Sequence, residues 1–434
     1  MPIAVPVVEP MPPQAAGFVP WVGAGWQLLR NPTAFFATAR QRLGDTYVVD
    51  AFGFRLFCVF SPAGVRGLYA LPENAASFGL ATFNLLKLKL PVELFQGRRV
   101  TPHRLFASDD VGRYLRTLED AVTVELEVLG AQGQFEVFHE MRRLGHRLGF
   151  ASWVGREAAS PRWLDRLIPL FDQLDSADAF VRPARAFVTA ATRFRRERRA
   201  LQAIEAVVRE IWDERQRRGV IEHDFLEQIH AAYADVSEAE RAVGVARDVV
   251  MLHLGSQSNL YAALAWTFIN VVLRPALVAQ IRAGDDGLLD RCASESIRLA
   301  QRSITLRAVV RPIEFSDEQR TYQLAPGVLL TTMLSVTNTT AAPGLDVFDP
   351  SHYDGRKLAP AVPLAARELV STFGHGVHSC PAQRFAIAAI GTGVRRLLDR
   401  YEFEPTFTAA YPRPQQLGAV ARAAHPCVVV YRAR

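Results

Sequence analysis

Residues 237–273 carry the strongest constraint on how this chain folds. Ser237-Glu-Ala-Glu240 has the spacing of a capping box and Pro275 marks a stop, so the pattern predicts one helix across the segment. At ~1.5 Å per residue such a helix would be about 55 Å long, enough to cross a whole molecule. After Val249 it is apolar nearly all round (VVMLHL, then LYAALAWTFINVVL), which predicts burial on every side. Into its middle falls a polar cluster, Gly255-Ser256-Gln257-Ser258-Asn259. Buried hydrogen-bonding side chains cost free energy unless partnered, and serine, asparagine and glycine weaken helix interiors. Two readings stay open: a kink that satisfies its own polar groups, or a widened turn beside a buried reaction site.

Most of the remaining chain also reads as helix. An early helix is expected at Pro32 to Leu43, and segments 110–129, 162–175, 185–218, 223–234, 287–302 and 383–402 repeat apolar residues at three- and four-residue spacing. Strand-like runs are short: Thr46 to Val49, Arg55 to Phe60, Ala308 to Phe315, Tyr322 to Leu324, Val328 to Met333 and Ala419 to Tyr431. The expected class is mainly α with small β-sheets. No repeat or linker stands out, so residues 18–434 are expected to form one domain behind a proline-rich extension at 1–17.

With 49% hydrophobic and 22% charged residues the chain is not a disordered one. The net charge of +6 raises the question of nucleic acid, but the densest basic run, Arg193 to Arg199, continues into an amphipathic pattern with interleaved glutamates. That pattern fits a solvated helix face, and no zinc-finger or phosphate-loop motif accompanies it. The four cysteines, Cys58, Cys292, Cys380 and Cys427, are widely spaced, which fits neither a disulfide framework nor a zinc ribbon. Met1 to Pro20 falls far short of the ~20 apolar residues of a membrane span and lacks a basic n-region. The expectation is a soluble, cytoplasmic protein without a membrane anchor.

Phe373-Gly-His-Gly-Val-His-Ser-Cys380-Pro-Ala-Gln-Arg-Phe-Ala386 carries the most chemistry. Gly374 and Gly376 permit a tight turn. Pro381 suits a first helical position, which would place Cys380 at the helix N-cap. There the amide N–H groups and the helix dipole favour thiolate over thiol. A buried inert cysteine and an activated cysteine hydrolase are the other readings, although no sequence feature assigns a base to Cys380.

Phe-Gly-x-Gly-x-His-x-Cys resembles the heme-binding signature of cytochromes P-450. Glu295-Ser-Ile-Arg298 resembles the Glu-x-x-Arg ion pair that braces that family's core behind the heme, in the right order before the cysteine. The opening stretch, with Asn31-Pro32 and Gly44-Asp45-Thr46-Tyr47, is also similar, so the likeness runs from about Phe18 to the C-terminus. It implies the cytochrome P-450 fold, a triangular helix-rich single domain, and heme b bound through a thiolate. Cys380 would then be the iron ligand, within the signature that Phe373 opens. His378 and Arg307 match positions that bind heme propionates, and Arg113 is a further propionate candidate although no Trp-x-x-x-Arg is found there.

Four positions depart from the family pattern. Ser258 and Asn259 stand where an acid and a threonine usually relay protons, similar to the branch holding sterol 7α-hydroxylases and prostacyclin synthase. His352 stands for the arginine of Phe-x-Pro-x-Arg-Phe, and Ala382 for a glycine. The resemblance implies a monooxygenase that oxidises a lipophilic small molecule (terpenoid, sterol or fatty acyl). Segments 77–97 and 176–190, both poor in charge, would face the substrate. No electron-transfer domain is evident, so a ferredoxin and ferredoxin reductase, or an equivalent donor, would supply electrons, guided by a basic face around Arg384. An isomerase or peroxide-using enzyme and a non-catalytic heme or hydrophobic-ligand binder are the alternatives.

Overall fold

The computed structural model describes residues 7–15, 17, 19–98, 100, 105–106, 111–175, 188–189, 191–222 and 224–434, with backbone only at 111–114. The chain forms two compact units. One comprises Met1–Leu86, Ile297–Cys380 and Pro412–Arg422; the other comprises Lys87–Ser296, Pro381–Tyr411 and Ala423–Arg434.

The first stretch of unit one runs β1 (Val8–Glu9), β2 (Gln14–Ala15), α1 (Gly25–Arg30), α2 (Pro32–Leu43), β3 (Thr46–Ala51), β4 (Phe54–Val59), α3 (Pro62–Ala70), β5 (Ala76–Ser77) and α4 (Phe78–Leu86). The long middle of the chain supplies α5 (Val111–Leu129), β6 (Gln132–Glu136), α6 (Val137–Trp153), α7 (Pro161–Leu174), α8 (Arg195–Arg218), α9 (Phe225–Ala231), α10 (Glu238–Val272), α11 (Pro275–Arg282) and α12 (Asp286–Ala300). Then come β7 (Ile304–Val309), β8 (Ile313–Ser316), β9 (Thr321–Leu324), β10 (Leu329–Met333), α13 (Leu334–Thr340), β11 (Tyr353–Asp354) and β12 (Lys357–Leu358). The last elements are α14 (Gln383–Arg400), β13 (Tyr401–Pro405) and β14 (Val428–Ala433). This is the mainly α architecture with small sheets that the periodicity predicts.

Unit one is built on a six-stranded sheet in the order β2-β3-β4-β10-β7-β5 and a smaller one in the order β1-β9-β8. Both β1 and β2 come from the proline-rich stretch at 1–17. Local sequence sets the helix starts: Pro32 and Pro62 sit in the first turns of α2 and α3, and Asn31 Oδ1 and Ser61 Oγ accept from Ala34 N–H and Gly64 N–H. Apolar side chains on the two faces of the large sheet, Phe57, Val59 and Leu330 on one and Tyr47, Val49 and Met333 on the other, are buried in separate cores. The strand expected from Ala308 to Phe315 is broken between β7 and β8. Pro312 has no N–H to continue the ladder there. The run expected from Ala419 is strand only from Val428; Ala419 itself is left-handed at φ +57°.

Unit two is organised on α10, which is an uninterrupted helix of 35 residues capped as expected, with Ser237 Oγ accepting from Glu240 N–H. It is buried from Leu260 to Ile269, but between Met251 and Ser256 only His253 is buried and Gly255 is exposed, so the burial on every side expected after Val249 holds only for its second half. Beside it packs α6, which the periodicity did not predict. Gly145 and Gly149 let the two helices approach: a Cβ at Gly145 would lie 3.0 Å from Tyr261 Cβ, and one at Gly149 2.9 Å from His253 Cε1. The sheet β13-β14-β6 closes this unit, with Tyr401 Oη donating to Gly130 O at 2.7 Å. Among the described residues no single helix is long and apolar enough to cross a membrane.

Candidate active site

The cysteine segment is a loop stapled at both ends. Cys380 N–H donates to Phe373 O at 2.7 Å, so Phe373 contributes its carbonyl to the closure. Gly374 has φ +82°, and a Cβ there would fall 2.1 Å from His378 O; only glycine lets the loop fold back on itself. The loop is anchored through Ser371, whose hydroxyl accepts from Gly374 N–H at 3.1 Å and whose own N–H donates to Asn338 Oδ1 at 2.7 Å. Cys380 is half-buried, and none of the four cysteines forms a disulfide.

One expectation needs correcting. The helix after the cysteine begins at Gln383 with Ala382 as its N-cap, so Cys380 lies two residues ahead of the cap instead of on it. Proline disfavours helical geometry in the residue before it, and Pro381-Ala382 form a turn before the helix starts. Ala382 has φ −91°, an ordinary value that needs no glycine.

Arg307 and His378 meet beside this loop. Arg307, on β7, is fully buried; its Nε donates to Ala76 O at 2.8 Å and its Nη1 to His378 Nε2 at 2.8 Å. A guanidinium only donates, so His378 Nε2 must be the acceptor and the ring proton sits on Nδ1. That Nδ1 is buried without a partner. Burial, and then the neighbouring Arg307 charge, push the imidazole down to about 4, which keeps it neutral. Phe78 and Tyr69 pack edge-on against the His378 ring at 4.5 and 5.6 Å. Glu73 joins the cluster through Arg307 Nη2 at 3.4 Å. Burial raises its carboxyl, but Gly79 N–H, the Ser77 hydroxyl, Phe78 N–H and Arg307 together hold it below the usual range.

Arg298 and Glu295 lie one turn apart on α12, both fully buried. The Arg298 guanidinium donates from Nη1 to the carbonyls of Asn338 and Leu345, both at 2.5 Å, and from Nη2 to Val347 O at 3.4 Å. Asn338 Nδ2 answers by donating to Arg298 O and to Ser371 O, each at 3.0 Å. The brace around Arg298 therefore reaches the cysteine loop through Asn338, and the segment leading to His352 is held by main-chain acceptors.

Ser258 and Asn259 belong to unit two, on α10. Asn259 Nδ2 donates to Gly255 O at 3.4 Å and Ser256 Oγ to His253 O at 3.1 Å, so these side chains bond back onto their own helix without breaking it. Ser258 is buried, and a Cβ on Gly255 would meet nothing within 4 Å. One turn earlier His253 is fully buried, stacked on Phe150 and 2.8 Å from His146 Nδ1. Burial holds both imidazoles far below their ordinary range, His146 at about 3.

The Arg113 side chain lies outside the described residues, as does the 176–190 segment apart from Val188 and Thr189. Sequence reasoning missed Glu73, Asn338 and the His146–His253 pair. Their only sequence signal is a polar residue in an otherwise apolar neighbourhood, which is common.

These residues fit a heme. A buried guanidinium beside a partnerless Nδ1–H donor is the setting an acidic group such as a propionate requires, and a half-buried cysteine with no disulfide follows two residues later. No protein-family model matches the chain. It is 21% identical over 425 residues to the human 24-hydroxycholesterol 7-alpha-hydroxylase, covering 90% of this chain and 87% of that protein. It is 24% identical over 408 residues to abscisic acid 8'-hydroxylase 1 of Oryza sativa subsp. japonica, covering 87% of this chain and 82% of that one. A cytochrome P450 monooxygenase of Gibberella zeae matches a shorter part, 27% identical over 184 residues, covering 36% of this chain and 35% of that protein. With its helix-rich fold, its cysteine loop and these relatives, the chain is a monooxygenase similar to the cytochromes P-450.

Proposed function

We propose that this enzyme hydroxylates or otherwise oxidises a lipophilic small molecule of the terpenoid, sterol or fatty acyl class, with O2 and with electrons from separate partners. The observation that carries the reading is the cysteine loop with Arg307 and His378 beside it. Cys380 would hold the iron of heme b, and Arg307 Nη groups and His378 Nδ1–H would hold its carboxylates. Arg113 is a further candidate for the same task. Heme bound through a thiolate supplies the electron push that cleaves O–O bonds.

The chain's own part is to orient, to exclude water and to move protons. Phe373 O fixes the backbone of Cys380, and Asn338 keeps the loop from unfolding. Ser258 Oγ and Asn259 Nδ2 can hold water by hydrogen bonds, but neither is a carboxylate that gives up and regains a proton. The lipophilic substrate class draws support from the names of the relatives and from the apolar α4, where Phe78 and Leu80 are exposed. A ferredoxin with its reductase is the proposed donor, met by basic residues around exposed Arg384. The cytoplasm is the proposed compartment, in keeping with four cysteines that form no disulfide.

Ser258 and Asn259 also favour a second reading, a heme-thiolate isomerase or peroxide-using enzyme that needs no proton relay for O2. The reduced carbon-monoxide difference spectrum of the purified, heme-loaded chain tests the shared premise: a Soret band near ~450 nm is expected. Turnover of a hydroperoxide without any reductant, and none with O2 and electrons, would select the second reading.

A further inference from the structure

Glu73 stands where the acid-binding cluster meets the start of α4. Its Oε1 accepts from the Ser77 hydroxyl at 2.7 Å and from Gly79 N–H at 2.8 Å. Its Oε2 accepts from Phe78 N–H at 3.1 Å and from Arg307 Nη2 at 3.4 Å. Ser77 Oγ in turn accepts from Leu80 N–H at 2.9 Å. The first amides of α4, which have no acceptor inside the helix, thus end on one carboxylate and one hydroxyl, and the negative charge sits at the favourable end of the helix dipole. The connection is also covalently short. Ala76 and Ser77 form β5, which pairs with β7 beside Arg307, and Ala76 O accepts from Arg307 Nε.

An acidic group arriving at Arg307 and His378 would find Glu73 already drawing on the same guanidinium. Two carboxylates sharing one cation repel each other, so the newcomer and Glu73 compete. Glu73 has three other donors to retain it, all at the N-terminus of α4.

We propose that Glu73 is a positioning residue that couples the cofactor anchor to α4, because Arg307 is divided between Glu73 and a cofactor carboxylate. When the anchor fills, Glu73 serves α4 alone and its cap firms; the helix that opens the expected substrate-facing segment thereby registers whether cofactor is in place. This rests on the heme reading above.

The test uses the full chain as wild type, Glu73→Gln, Glu73→Asp and Ser77→Ala. It measures heme loss to excess apomyoglobin and amide hydrogen exchange across residues 78–86, with heme and without. Glu73→Gln should slow heme loss several-fold, since the competing charge is gone, while exchange across 78–86 speeds up about tenfold as the cap weakens. Glu73→Asp should restore the wild-type rate of heme loss. Ser77→Ala should speed exchange and leave heme loss unchanged. Loading heme should slow exchange of α4 in wild type, and in Glu73→Gln that difference should shrink below about twofold. If Glu73→Gln moves heme retention and α4 protection in the same direction, or keeps the full heme-dependent difference, the coupling is refuted while the heme reading stands. A wild-type chain that takes up no heme refutes both.

Discussion

Arg307 in one unit and the polar turn of α10 in the other both place hydrogen-bonding groups in apolar surroundings. Around Arg307 a full positive charge is met by Ala76 O, His378 Nε2 and Glu73, and what is left over is a donor, His378 Nδ1–H. Around Ser258 and Asn259 no charge is introduced. The side chains of Ser256 and Asn259 turn back onto helix carbonyls, and the leftovers are the buried Gln257 Oε1 and His253 Nδ1. The first arrangement is specific for an acid before any ligand comes. The second can be completed by a few waters and commits to much less. On the proposed function, the first cluster would select a cofactor by its charge, while the second would offer bound oxygen only neutral groups and water.

Four measurements press on that contrast. Cys380→Ser should abolish the ~450 nm band entirely, whereas Ser258→Ala should keep it; loss of the band in both would mean that α10 also shapes ligation. Arg307→Leu leaves the Ala76 carbonyl and the His378 ring without their donor, so denaturant unfolding should show a loss of about 2–4 kcal/mol, together with faster heme loss.

Acid should act on buried imidazoles in both units. His378 is lowered to about 4 and His146 to about 3, and burial lowers His253 as well, against an unfolded value near 6.5. The unfolded chain therefore binds more protons below about pH 6.5, and the stability these groups contribute is full above that pH and lost as pH falls. A thermal midpoint that drops from pH 6.5 to 5, and drops less in the His146→Phe/His253→Phe variant, is the expected result. Glu140 runs the other way. Burial, and then the nearby Glu125, raise it to about 7, so its stabilising share fades as pH climbs from about 4.5 through 7. Smallest of all, Asn259→Thr should leave stability and spectrum alone and change only the fraction of electrons recovered as oxidised product. No change in that fraction would remove Asn259 from the proton path.

The parts of the fold legible in sequence were those with a clean period and a clean cap. Ser237, Glu240 and Pro275 bounded α10 to within a residue, because its apolar run is unbroken elsewhere. In contrast α6 carries three arginines, two histidines and two glycines within seventeen residues, and its apolar stripe is hidden by groups that find buried partners only after folding. Arg147 is fully buried against Glu125, for instance. In the candidate site the motif singled out Cys380 and His378 because its glycines and proline point to a particular backbone turn, whereas Arg307 came only from the family resemblance; the structure brings Arg307 against His378. The same motif misplaced the start of α14 by two residues, since a proline after the cysteine is compatible with a turn as well as a helix start. Glu73 could not be found that way: its role depends on Arg307 arriving from another part of the chain.

That long-range pairing also governs how the enzyme is made. Leu56 of β4 pairs with Leu329 of β10, and Ala76 of β5 with Val309 of β7, so half of the large sheet waits for partners synthesised far later. Until residues beyond 333 leave the ribosome, β4 presents an open edge of unpaired amides and carbonyls beside apolar side chains. Closing so long a loop is slow compared with forming any of the helices in between. The step most exposed to aggregation is therefore the completion of a six-stranded sheet, and the yield of active enzyme depends on how well that one edge is kept from other chains while synthesis runs on.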